Sequence, residues 1–168
     1  MRRLEGKTAL ITGGNTGIGR AIALAYAAEG ADVAIAWIDR ENEANSLVKE
    51  ITASGRRTRA IRCDVSREAD VVTMLNDFIA SFGKLDILVS NAGIQRPQAI
   101  TDMSVDDWDR MMAVHLRGAF LVSREAAKRM IPARRGWMIF TCSQLGYIGR
   151  ERYTAYSAAK AGLIVFMR

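Results

Sequence analysis

Short apolar runs ending in turn-forming residues alternate along this chain with longer stretches whose apolar positions recur at helical spacing. The runs at 7–12, 32–38, 58–63, 85–90 and 136–142 predict five strands, and the stretches at 18–29, 41–54, 67–82, 104–133 and from 153 onward predict helices. Strand and helix in alternation argue for beta-alpha-beta units and a parallel sheet. Right-handed crossovers then give the strand order 3-2-1-4-5. Ser104-Val-Asp-Asp107 predicts a helix start, because the serine hydroxyl can accept from the amide three residues on and carboxylates sit well in a first turn. Residues 136–142 are apolar on both faces, as in a strand with a neighbour on each side, yet no sixth strand follows in the sequence. A long apolar edge is an association hazard, so a further part of the protein or a partner subunit is expected to cover it.

With 168 residues, close to half of them apolar, the chain is expected to form one domain with a real core. The start Met-Arg-Arg-Leu-Glu-Gly-Lys carries no apolar core behind its charges. No apolar run approaches the roughly 20 residues that span a bilayer, so the expectation is a cytoplasmic chain with no membrane partner. Cys63 and Cys142 each fall within or at the end of an apolar run and read as small buried hydrophobes, which suits a reducing compartment. The net charge is +6, but the basic residues are scattered in small groups such as Arg56-Arg57 and Arg134-Arg135 with acids between them. That is a solvated basic surface rather than a nucleic-acid footprint.

Chemistry concentrates at two places. Thr12-Gly13-Gly14-Asn15-Thr16-Gly17-Ile18-Gly19 joins the first predicted strand to an alanine-rich helix. Glycines there let the backbone turn tightly and approach a pyrophosphate, while the amides and positive end of the new helix favour an anion. Three glycines alone are equally compatible with a plain turn. Far along the chain, Tyr156 and Lys160 stand one helical turn apart, with Ser143 upstream. A fixed ammonium beside a phenol favours the phenolate and makes it a usable acid/base. The lone His115 has no companion cluster of His, Cys or carboxylate and reads as a structural residue rather than a metal ligand, and no metal is expected.

Taken together these motifs resemble the classical short-chain dehydrogenase/reductase family, over the whole chain. Thr12, Gly13, Gly17, Ile18 and Gly19 match its cofactor turn; Asp64, followed by Val65, matches the acid that holds the adenine amino group. Asn91-Ala92-Gly93 matches the motif closing the fourth strand, and Ser143, Tyr156 and Lys160 match the catalytic serine, tyrosine and lysine. The stretch Asp32–Asn45, Lys84-Leu85-Asp86 and Gly118-Ala119-Phe120 are similar to the glucose dehydrogenase and 3-oxoacyl-carrier-protein reductase subgroup. The resemblance implies a Rossmann-type doubly wound sheet of order 3-2-1-4-5 without the family's usual last two strands. Residues 1–168 are accordingly expected to be a single dinucleotide-binding domain with catalytic residues, cut short at its C-terminus.

The same resemblance implies a nicotinamide cofactor, an alcohol or ketone substrate, Tyr156 moving the proton, Ser143 bonding the substrate oxygen, and Lys160 serving both Tyr156 and the ribose. Asn15, Thr16 and Asp39 join the expected cofactor contacts. His115 stands where the family carries an asparagine that distorts the helix so that its main-chain carbonyl holds a water leading to the lysine, so it belongs to the expected catalytic set. Cofactor choice rests on Ala36-Trp37-Ile38-Asp39-Arg40, about 20 residues after the glycine turn. Trp37 and Ile38 fill the slots of the NAD-type aspartate and NADP-type arginine, Thr16 replaces a second such arginine, and Asp39 and Arg40 pull in opposite directions. NAD or NADP both remain, with a slight lean to NAD. Relatives pair through helices beginning near 104 and 153, which implies a homodimer or homotetramer. An alternative is a nucleotide-binding sensor or structural remnant that keeps the cofactor half and has lost turnover.

Overall fold

Five parallel strands in the order β3-β2-β1-β4-β5 form the centre of the computed structural model, which describes residues 2–168. In chain order the elements are β1 (Thr8–Thr12), α1 (Gly17–Ala28), β2 (Asp32–Trp37), α2 (Glu41–Ala53), β3 (Thr58–Arg62), α3 (Glu68–Phe82) and β4 (Ile87–Ser90). There follow α4 (Val105–Met112), α5 (Gly118–Met130), β5 (Trp137–Phe140), a single turn α6 (Leu145–Ile148) and α7 (Thr154–Phe166). The predicted strand order is the observed one.

Alternation along the strands explains the two cores. Ala9 and Ile11 of β1, Val33 and Ile35 of β2 and Ile87 and Val89 of β4 pack on one face, with Ala23 and Ala27 of α1 and Leu47 and Ile51 of α2. Leu10, Ala34, Ala36 and Leu88 point the other way and meet Met74, Leu75 and Phe78 of α3 and Val122 and Ala126 of α5. Both faces are covered, so these strands read as continuous apolar runs. β5 lies at the sheet edge, pairs with β4, and leaves Trp137 and Ile139 exposed. Buried Asp86 pins β1 to β4, accepting from the Thr8 amide at 3.0 Å and pairing with Lys84 at 2.9 Å. This fixes the register that brings the C-terminal ends of β1 and β4 side by side.

One expectation is corrected. The stretch 104–133 is not one uninterrupted helix, because residues Ala113–Arg117 form a π-helical segment between α4 and α5. A one-residue widening leaves the apolar period nearly unchanged, so the pattern does not reveal it. The start is as predicted, with the Ser104 hydroxyl accepting from the Asp107 amide at 3.1 Å. The Asp107 carboxylate does not reach back, as a capping box would require; it pairs with Arg96 and accepts from Gln98 at 3.1 Å. No helix among the described residues is long and apolar enough to cross a membrane.

Candidate active site

The carboxyl ends of the strands open onto a crevice of about 400 Å³ whose walls include Gly13, Thr16, Gly17, Asp64, Tyr156 and Lys160. The turn after β1 shapes one wall. Gly17 has φ +51° and open space where a side chain would stand, while a Cβ at Gly19 would meet the Gly13 oxygen at 2.1 Å. Thr16, at the N-cap of α1, makes no side-chain capping bond, so the first-turn amides of α1 have no side-chain partner from Thr16. Uncapped amides at the positive end of a twelve-residue helix, behind a glycine with space in front of it, are chemically suited to a phosphate group.

Three strand ends are tied together beneath that turn. The Asn91 amide donates to the Thr12 and Gly13 carbonyls, each at 3.1 Å, and its side-chain oxygen accepts from the Thr141 hydroxyl at 3.0 Å. The Thr12 hydroxyl in turn accepts from the main-chain amides of Asn91 and Ala92, while the Asn91 bonds to the two carbonyls come from its side chain. Asn91, Ala92 and Gly93 all border the crevice. Asn15 also borders it, but its amide is committed elsewhere, donating to the Asp39 carbonyl at 2.8 Å and the Arg40 carbonyl at 3.3 Å. It therefore holds the loop after β2 against the glycine turn. Ile18 and Val65 line the crevice, Asp39 lines it with an exposed side chain, and Gly19 lies behind the wall.

Tyr156 and Lys160 share one face of α7 as the spacing predicts. The Lys160 ammonium is 5.6 Å from the centre of the Tyr156 ring. It is buried and donates to the Thr141 main-chain oxygen at 2.6 Å. Burial holds its pKa below the ordinary lysine value, with Cys142 acting weakly the other way. His115 packs edge-on against Tyr156, ring centres 5.1 Å apart. Its Nε2 lies 2.7 Å from the Ile94 oxygen and 3.0 Å from the Ile94 nitrogen, while Nδ1 has no partner among the described residues. Burial pushes the imidazole pKa down to about 4, against the Ile94 hydrogen bond and aided by the charge of Lys160. The helix distortion that the asparagine comparison attributes to a side chain is thus present here with histidine, centred on the residue whose ring engages Ile94.

Ser143 stands apart. Its hydroxyl accepts from the Leu145 amide at 3.2 Å, and the residue does not border the crevice. Reasoning from sequence also missed three participants: Thr141, which anchors Asn91 and Lys160; Ile94, which takes His115; and Arg110, which lines the crevice and pairs with Asp64 at 3.2 Å. The end of a strand beside a predicted site residue is the signal that points to Thr141; Arg110 carries none.

A doubly wound sheet with a glycine turn, an uncapped helix end and a Tyr-Lys pair at one crevice is the arrangement of an α/β protein of the dehydrogenase type. The chain belongs to the short chain dehydrogenase family, whose model matches residues 7–168. L-rhamnose 1-dehydrogenase (NAD(P)(+)) of Sphingomonas sp. (strain SKA58) is 40% identical over 169 residues, covering 100% of this chain and 66% of that protein. A 3-oxoacyl-[acyl-carrier-protein] reductase of Staphylococcus aureus is 37% identical over 94% of this chain and 64% of its own length, in keeping with the subgroup resemblance. Among solved structures, a short chain dehydrogenase from Burkholderia cenocepacia J2315 in complex with NADP superposes with a TM-score of 0.92 at 39% identity, covering 98% of this chain and 66% of that one. The chain spans just under two thirds of the length of these curated relatives.

Proposed function

We propose that residues 1–168 form a dinucleotide-binding domain bearing the acid/base machinery of an oxidoreductase that acts on an alcohol or ketone. The observation that carries this reading is the meeting of Tyr156 and Lys160 with the glycine turn in one crevice. NAD or NADP fits the residues present: the α1 amides and Gly17 would hold the pyrophosphate, Asp64 and Val65 the adenine, and Lys160 the ribose beside Tyr156. When bound, such a cofactor supplies or accepts the hydride. Tyr156 then donates or takes the proton at the substrate oxygen, with the Lys160 ammonium, fixed by the Thr141 carbonyl, one helical turn away. His115 keeps the Ile94 loop and the Tyr156 ring in place. Ser143, whose hydroxyl accepts from the Leu145 amide and so keeps its proton to donate, would steady charge on the substrate oxygen.

Titration of the purified chain with NADH and with NADPH, followed by a panel of small alcohols and ketones, tests this reading. Saturable binding of either cofactor with turnover of a panel member is expected. No binding of either would reject the reading altogether. The position of Ser143 outside the crevice walls favours a second reading, a nucleotide-binding sensor or remnant, which binding without turnover would support. We further propose that the chain associates as a homodimer or homotetramer through the helices that begin near residues 104 and 153, which leave Trp108 and Phe166 partly exposed. Strictly monomeric sedimentation would remove that part.

A further inference from the structure

Asp64 ends the run after β3 and offers its carboxylate to the crevice, where the oxygens are already largely allocated. Oδ1 accepts twice from Ser66, from its amide at 3.0 Å and its hydroxyl at 2.6 Å. Oδ2 accepts from the Arg110 guanidinium at 3.2 Å, and the same nitrogen also donates to the Ser66 hydroxyl at 3.3 Å. A carboxylate has about four acceptor positions, so Oδ1 is filled and Oδ2 keeps one. Burial opposes the charge of Asp64, but the Ser66 and Arg110 hydrogen bonds outweigh it and hold the carboxyl below its ordinary pKa. Its side chain is 16% exposed, so there is little room for it to turn.

Arg110 comes from α4, 46 residues further along the chain, and borders the same crevice. Its guanidinium is half exposed, so the pair contributes little to folding, but it decides which lone pair of Asp64 is left for a ligand. We infer that Arg110 is a positioning residue for the adenine half of the cofactor: it fixes the Asp64 carboxylate so that its last free acceptor position meets the exocyclic amino group. This inference rests on the dinucleotide reading above. It adds that recognition of adenine over other purines is set from α4, through a residue that need not touch the base.

The test compares NADH or NADPH, whichever binds the tighter, with its hypoxanthine counterpart, in which that amino group is an oxygen. Dissociation constants are measured by cofactor fluorescence for the parent chain, Arg110→Ala and Arg110→Lys. The parent chain is expected to prefer the adenine form by about tenfold, the worth of one hydrogen bond to a charged acceptor. Arg110→Ala should weaken the adenine form by about five- to tenfold and leave the hypoxanthine form within about twofold, collapsing the preference. Arg110→Lys, which retains the charge but not the planar fork, should recover part of it. Equal weakening of both forms in Arg110→Ala, or an undiminished preference, would overturn the inference while leaving the dinucleotide reading intact. A parent chain that binds both forms equally well would overturn it too. Failure of every dinucleotide to bind would strike the underlying reading instead.

Discussion

His115 Nε2 lies within hydrogen-bonding distance of both main-chain atoms of Ile94, 2.7 Å from the oxygen and 3.0 Å from the nitrogen. One ring nitrogen cannot donate and accept at once, and the shorter contact assigns its proton toward the oxygen. Nδ1 is then a bare acceptor in a buried position, against Gly93 and edge-on to Tyr156. An asparagine side chain brings a donor and an acceptor on separate atoms; His115 meets the Ile94 main chain through one.

That arrangement makes stability pH-dependent. The folded pKa of His115 is about 4, below its ordinary 6.5. Between the two values the unfolded chain binds the extra proton, so stability rises with pH there and is lost as pH falls from about 6.5 toward 4. The loss attributable to His115 is on the order of 2–3 kcal/mol. His115→Asn should remove it. Urea unfolding of both proteins from pH 7.5 to 4.5 should show the parent losing about 2–3 kcal/mol more than His115→Asn as the pH drops, while carboxylates common to both titrate alike. Parallel curves across that range would contradict the buried, neutral imidazole.

Two glycines of the cofactor turn should respond differently to alanine. Gly17 has φ +51° but nothing within 4 Å of an added Cβ, so Gly17→Ala should cost only the left-handed backbone strain, about 1–2 kcal/mol. Its methyl group would stand in the crevice and should weaken dinucleotide binding about tenfold or more. At Gly19 the added atom would lie 2.1 Å from the Gly13 oxygen and 2.7 Å from the Asn91 amide nitrogen. Gly19→Ala should therefore lose about 3 kcal/mol or more of stability by overpacking. Thermal melts and cofactor titrations separate the two effects, and a Gly17→Ala protein that binds normally would rule out a phosphate close to that backbone.

Local signals carried most of the fold and half of the site. Strands were legible where both faces are buried, as in Val33 and Ile35 against Ala34 and Ala36, and the glycine turn and Tyr156–Lys160 spacing are contiguous in sequence. Features set by distant partners were not. The π-helical turn accompanies a ring that reaches 21 residues back to Ile94, and Arg110 finds Asp64 across 46 residues. The place of Asn15 in the turn points to the cofactor, yet its side-chain amide is taken by carbonyls 24 and 25 residues away. The resemblance assigns Ser143 to the substrate oxygen, and the adjoining single turn α6, which the apolar pattern does not reveal, supplies the amide that donates to its hydroxyl.

In the proposed oxidoreduction the Tyr156 phenol, beside Lys160 and the glycine turn, moves the proton. Tyr156→Phe removes one oxygen from a ring that His115 and the α7 neighbour Tyr153 still support. With a carbonyl that the parent chain reduces, kcat should fall by about 10²–10⁴-fold while the cofactor dissociation constant stays within about twofold. A variant that keeps its turnover would contradict the account.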